Sequence, residues 1–216
     1  LHDALPILVQ VLRMEVGEQL QLTDGKGGLF TAEIANEHKK KTSVKILSSS
    51  SIEPPRKKIS IAISLIKNAS RFEWFLEKAT EIGINEIVPL LCKRTEKQHF
   101  RFDRMNGILI SAMLQSQQAW LPVLHEPVRF DELVMKQVND YKKYIAHCLP
   151  SGNKQSLHHP SASASNCQII IGPEGDFTHE EIEQALHNHF IPVSLGETRL
   201  RTETAGIVAA CLLRIN

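Results

Sequence analysis

The hydrophobic positions of this chain change period part-way along, and the change divides it. Leu20 and Leu22 alternate with Gln19 and Gln21, and Phe30, Ala32 and Ile34 repeat the two-residue period of a half-buried strand. Val9, Val11 and Leu12 lead into Arg13 as an earlier strand, and Val44, Ile46 and Leu47 mark a later one. Between them, Asp24-Gly25-Lys26-Gly27-Gly28 is turn chemistry, because glycine supplies the positive φ that hairpins require. Short strands joined by glycine-rich turns predict a small β-barrel over residues 1–50. The polar stretch from Ser48 to Lys58, rich in serine and proline, has no period; a linker is expected at 51–58.

From residue 59 onward the pattern alternates between strand and helix. Ile59, Ile61, Ile63 and Leu65 form a strand; Phe72, Phe75, Leu76, Ala79 and Ile82 then recur at helical spacing, with Ser70 as N-cap and Gly83 as stop. A short apolar strand spans Ile87–Leu91, and a helix runs from Arg104 to about Gln118. A weaker helix covers Phe130–Val138, and Tyr144–Leu149 is again a strand. Strands at 167–171 and 191–195 alternate with helices at 178–188 and 203–214. Thr178 and Glu181 make a capping box that fixes the first helix start. The last helix is more apolar than a lone surface helix should be, which a subunit interface would explain. Such alternation predicts an α/β domain over 59–216 with a mostly parallel sheet.

Composition narrows the field mainly by exclusion. The 216 residues carry 25 Lys+Arg against 24 Asp+Glu, a net charge of +1, so nucleic-acid contact needs local patches. His38-Lys39-Lys40-Lys41 is one such patch, readable as a solvated turn or as an RNA phosphate contact. Cys92, Cys148, Cys167 and Cys211 form no CxxC pair, which argues for buried thiols in a reducing cytoplasm. No run approaches the roughly 18 apolar residues of a membrane span, and no secretory signal is visible. His158-His159 lacks a Cys, Asp or Glu at ligand spacing, so no metal is expected. The chain begins at Leu1, and its N-terminus is expected to be incomplete or non-native.

Two turns carry the candidate chemistry. Ile169-Ile170-Ile171 runs into Gly172-Pro173-Glu174-Gly175-Asp176, and a second strand runs into Leu195-Gly196, followed by Leu200-Arg201-Thr202-Glu203-Thr204-Ala205. Turns at the carboxyl ends of neighbouring strands form a place where backbone groups meet a ligand. The first turn is neither GxGxxG nor GxxxxGK[ST], and Glu174 and Asp176 would repel a phosphate. A neutral or cationic nucleoside suits it better, and S-adenosylmethionine, with its positive sulfonium, is such a ligand.

These residues, together with Lys67-Asn68, Arg71-Phe72-Glu73, Glu77 to Gly83 and Gln115-Ser116, resemble the RsmE-type ribosomal RNA small subunit methyltransferases, a SPOUT-class family. The likeness runs in order from about Val9 to the C-terminus. It implies a PUA-like β-barrel followed by a SPOUT α/β domain whose C-terminal segment threads a deep trefoil knot. It also implies methyl transfer from S-adenosylmethionine to N3 of a uridine in 16S ribosomal RNA or the assembled 30S subunit. A homodimer through the knot region is implied too. Other readings are an RNA-binding assembly factor without activity, or the same chemistry on another RNA such as a transfer RNA.

On this resemblance Leu149, Gly172, Pro173, Glu174, Gly175, Leu195, Gly196, Leu200, Arg201 and Ala205 surround the cofactor. Arg201 stabilises charge on the imide, because it is planar and always cationic. Glu203 is the general base, or it orients Arg201, or it caps the last helix. RNA contacts fall to Arg13, Lys39, Lys40, Asn68, Arg71 and Gln115. Three departures from the family stand out: Leu114 to Gln118 carries no charge, Asp176 stands where a second glycine is common, and Leu1 to Ile7 does not resemble the family's first barrel strand.

Overall fold

The computed structural model describes residues 13–38, 42–96, 98–136, 140–149, 154–157 and 166–215. The expected strand through Val9, Val11 and Leu12, the Lys39–Lys40 contact and the His158–His159 pair lie outside these residues. The chain divides into two compact units, residues 1–54 with 117–120, and residues 55–116 with 121–216.

In the first unit β1 (Gln19–Thr23), β2 (Gly28–Asn36) and β3 (Ser43–Ser51) form an antiparallel sheet in sequence order. The two-residue alternation places Ala32 and Ile34 inward, fully buried. The β1–β2 turn closes because Asp24 Oδ1 accepts from the backbone N–H groups of Lys26 and Gly28, at 2.7 and 2.9 Å. Gly27, at φ +94°, could carry no side chain, since a Cβ would lie 2.5 Å from the Trp120 ring. The serine-rich stretch departs from expectation. Gly28–Thr31 of β2 pair with Ser48–Ser51, so β3 runs through the residues whose composition suggested a linker. Ladder pairing outweighs the weak strand preference of serine. The segment Gln117–Trp120 also belongs here: Gly27 N–H donates to Ala119 O at 2.8 Å, and Trp120 Nε1–H to Ile52 O at 3.2 Å.

The second unit is built on a sheet whose pairs are all parallel among the described residues. Its principal strands are β4 (Ile59–Ser64), β5 (Glu86–Leu91), β8 (Tyr141–Ala146), β10 (Asn166–Ile171) and β11 (Ile191–Ser194). The two-residue strands β6 (Val123–Leu124), β7 (Val128–Arg129) and β9 (Gln155–Ser156) lie toward its edges. The order is β6-β5-β4-β10-β8-β11-β9, with β7 on β5.

All six residues of β4 are buried, as a central strand covered on both faces requires. Ile59, Ile61 and Ile63 face one core with Phe72, Phe75 and Leu76 of α1 (Ala69–Ile82) and Ala209 and Leu213 of α5 (Thr202–Ile215). Ala62 and Ile170 face the other, with Phe130 of α3 (Phe130–Met135), Phe177, and Ile182 of α4 (His179–His187). This is the α/β architecture that the strand–helix alternation predicts. The remaining helix, α2 (Phe102–Gln115), packs on α1.

The helix ends correct two expectations. Asn68, not Ser70, caps α1: its Oδ1 accepts from Ser70 N–H at 2.9 Å. Helix α2 stops at Gln115 rather than near Gln118, because the Ser116 hydroxyl bonds back to Ala112 O and Gln117 turns to φ 54°. The Gly83 stop, at φ 89°, and the Thr178–Glu181 capping box both form as expected.

Candidate active site

Three adjacent strands, β10, β8 and β11, end on one edge of the sheet, and the loops that follow them meet there. A cleft of about 290 Å³ opens between the Gly172–Asp176 turn, the end of β8 at Ala146 and Cys148, and Arg199 to Thr202 with Ala205. A second cleft of about 370 Å³ adjoins it, lined by Ser194 to Leu200, His147 and Lys154. The two share Ala146, Cys148, Arg199, Leu200 and Ala205. Volumes of this size suit a nucleoside-sized ligand.

Each wall is held by bonds that local sequence dictates. Gly172 packs on Phe177, whose ring would lie 3.0 Å from any Cβ at 172. Its carbonyl accepts from the buried Thr202 hydroxyl at 3.0 Å, which ties the start of α5 to the first turn. Asp176 sits at φ 62°, in the left-handed region that aspartate tolerates. Its Oδ2 accepts from Cys148 N–H and its Oδ1 from Phe177 N–H, both at 2.8 Å, so one carboxylate joins the β8 and β10 loops. Arg94 donates to the carbonyls of Gly175 and Phe177, at 2.6 and 3.4 Å, and closes the turn from outside.

Most of the expected cofactor residues come together. Gly172, Pro173, Glu174, Leu200, Arg201 and Ala205 line the first cleft, and Leu195, Gly196, Leu200 and Ala205 the second. Gly175 and Leu149 line neither; Gly175 serves the turn, and Leu149 is exposed. Arg201 reaches the cleft, whereas Glu203 does not. Glu203 is 6% exposed, with one carboxylate oxygen lacking any hydrogen-bond partner among the described residues. Its ion-pair partner is Arg71 Nε, 3.7 Å away, and Arg71 Nη1 also lies 3.8 Å from Glu174.

The expected RNA contacts scatter. Asn68 is engaged as the α1 cap, Gln115 is exposed at the end of α2, and Arg13 is exposed in the first unit. Sequence reasoning missed Ala146, Cys148, Thr202 and His147 as lining residues. Ala146 ends β8, His147 and Cys148 follow it and Thr202 opens α5, and such places at strand ends and helix starts were the available signal. Both ring nitrogens of His147 are buried without a partner among the described residues. Burial pushes its imidazole below the ordinary value, Lys154 adds to this, and Asp176 opposes it.

The donor set can be tested against an adenosyl sulfonium. Glu174 and Asp176 line the first cleft together with Arg199 and Arg201, two carboxylates against two guanidinium groups, and Leu200, Ala205 and Ala146 give it an apolar lining. A charge-balanced, partly apolar lining of this kind fits a nucleoside with a charged substituent. Among the described residues no cluster of His, Cys, Asp and Glu could hold a metal, and no helix is long and apolar enough to cross a membrane.

Residues 53–214 match the RNA methyltransferase domain family, and residues 8–47 match the RNA methyltransferase PUA domain. A ribosomal RNA small subunit methyltransferase E from Synechocystis is 33% identical over 214 residues, covering 97% of this chain and 69% of the relative. A probable rRNA-methyltransferase of known structure from Porphyromonas gingivalis superposes with a TM-score of 0.88 at 38% identity, covering 97% of this chain and 89% of that one. The structure of a ribosomal RNA small subunit methyltransferase E from Neisseria gonorrhoeae, bound to S-adenosyl methionine, gives a TM-score of 0.89 at 27% identity, covering 100% and 90%. Cleft-forming loops and both domain matches run through the same chain, which belongs to the RNA methyltransferase domain family and, within it, to the ribosomal RNA small subunit methyltransferase E group.

Proposed function

We propose that this protein transfers a methyl group from S-adenosylmethionine to N3 of a uridine in the RNA of the small ribosomal subunit. The observation that carries the reading is the placement of Arg201, which lines the same cleft as the acidic Gly172–Asp176 turn. Bound there, the cofactor supplies an electrophilic methyl on a sulfonium. The chain's own residues do the rest. Glu174 and Asp176 favour the positive ligand, and Leu200 and Ala205 keep water from it. N3 of uracil is an imide nitrogen, a poor nucleophile until its proton passes to solvent. Arg201 stabilises the negative charge that then spreads over O2, N3 and O4. As N3 takes the methyl, the electron pair of the broken S–C bond stays on sulfur and neutral S-adenosylhomocysteine leaves.

The homodimer belongs to the same proposal, as does the knotted C-terminus. Ile207, Val208, Cys211 and Leu212 of α5 are only half-buried, and Ile215 is exposed, which supports a partner on this helix. In the first unit Arg13 is the exposed cation assigned to RNA.

Replacing Arg201 with alanine tests the assignment. Calorimetry should find cofactor affinity within about twofold of wild type, while transfer to small-subunit RNA falls by about 10²–10³, the scale of one charge-stabilising group. Full activity in that variant would remove Arg201 from its role.

A further inference from the structure

Arg71, expected as an RNA contact, and Glu203, expected as base, orienter of Arg201 or helix cap, lie together. Glu203 lies behind the cleft wall, 6% exposed, and Arg71 is its one ion-pair partner among the described residues. Arg71 stands in the first turn of α1 and does not line either cleft. Its guanidinium lies between two carboxylates, 3.7 Å from Glu203 and 3.8 Å from Glu174. Neither contact is short enough for a hydrogen bond. A buried carboxylate with an orphaned oxygen is costly unless a cation stays beside it.

Each partner is joined to a different wall. Glu174 belongs to the turn after β10 and lines the cleft; Glu203 follows Arg201 and Thr202 at the start of α5, and both of those line it. We propose that Arg71 and Glu203 form a positioning pair that holds the Glu174 turn and the Arg201 segment at working distance, so that Glu203 is not the base and Arg71 not an RNA contact. The inference rests on the methyl-transfer reading for what the cleft binds. The pair touches neither nucleoside nor uridine: it acts through Glu174 and Arg201. A planar fork can face two carboxylates at once, which the point charge of lysine does less well.

The test uses the whole chain as wild type, Arg71→Met, Arg71→Lys, Glu203→Gln and the Arg71→Met/Glu203→Gln double variant. Calorimetry with S-adenosylhomocysteine reads the cleft, filter binding with small-subunit RNA reads the RNA surface, and a pH–rate profile reads the base. Arg71→Met and Glu203→Gln should each weaken the nucleoside by about tenfold, and the double variant no further, as coupled groups behave. RNA affinity should stay within about twofold, Arg71→Lys should recover part of the loss, and Glu203→Gln should keep the rise of rate with pH that loss of the N3 proton imposes. Additive losses would overturn the pair. RNA affinity lost with nucleoside affinity intact would overturn it in favour of an RNA contact, and a flattened pH profile in Glu203→Gln would restore the base. A wild type that binds no S-adenosylhomocysteine would sink the functional reading instead. In that event a double-variant cycle on thermal unfolding decides the pair: coupled losses support it and additive losses overturn it.

Discussion

A hydrogen atom in place of a methyl sets how closely α5 approaches the sheet. A Cβ at Gly206 would lie 2.6 Å from the Phe75 ring and 2.8 Å from Ile63 Cδ1, both in the fully buried core. Gly206→Ala should therefore destabilise the protein by about 1–3 kcal/mol through overpacking, against the usual helix-favouring effect of alanine. A urea unfolding midpoint checks this, and an unchanged midpoint would mean the helix can move away. His147 gives a second test at this scale. Its folded imidazole titrates below its ordinary value, so the unfolded chain takes up the proton first as pH falls. Stability is unaffected well above about pH 6.5 and is lost progressively below it, down to the depressed folded value. His147→Gln should flatten that loss between about pH 7 and 5, measured by thermal melts across the range.

Elements explain how much of this was legible in advance. Strands β4 and β10 stood out because unbroken apolar runs mark strands covered on both faces. Helix α4 was legible through its capping box, in which Thr178 Oγ1 accepts from Glu181 N–H while Glu181 Oε2 accepts from Thr178 N–H. Thr178→Ala should cost about 1 kcal/mol in a denaturation experiment. Two-residue strands such as β6 and β9 were not legible, since so short a run has no period to read. Nor was the assignment of Gln117–Trp120 to the first unit, which depends on bonds to Gly27 and Ile52 far away in sequence. The site followed the same rule. Turn chemistry located Gly172 to Glu174 and Leu200 to Ala205, but not which of Arg201 and Glu203 faces the cleft. Two residues separated by one position near a helix start point in different directions, and tertiary packing decided which was buried.

Across the whole molecule, the net charge of +1 supplies no global field for RNA. On the proposed reading, recognition falls to local cations such as Arg13 and chemistry to the loops at the carboxyl edge of the sheet. Because the cleft is made of three separate chain segments, a ligand that bridges them stabilises the fold by mass action. S-adenosylhomocysteine at about 100 times its dissociation constant should add roughly 2.7 kcal/mol of stability, seen as a raised melting temperature. The most direct test of the central claim is to incubate the protein with methyl-labelled S-adenosylmethionine and small-subunit RNA, then identify the labelled nucleoside by mass spectrometry. Label in 3-methyluridine alone, lost in Arg201→Ala, is the predicted result; label on another base, or none from a protein that binds the cofactor, would contradict it.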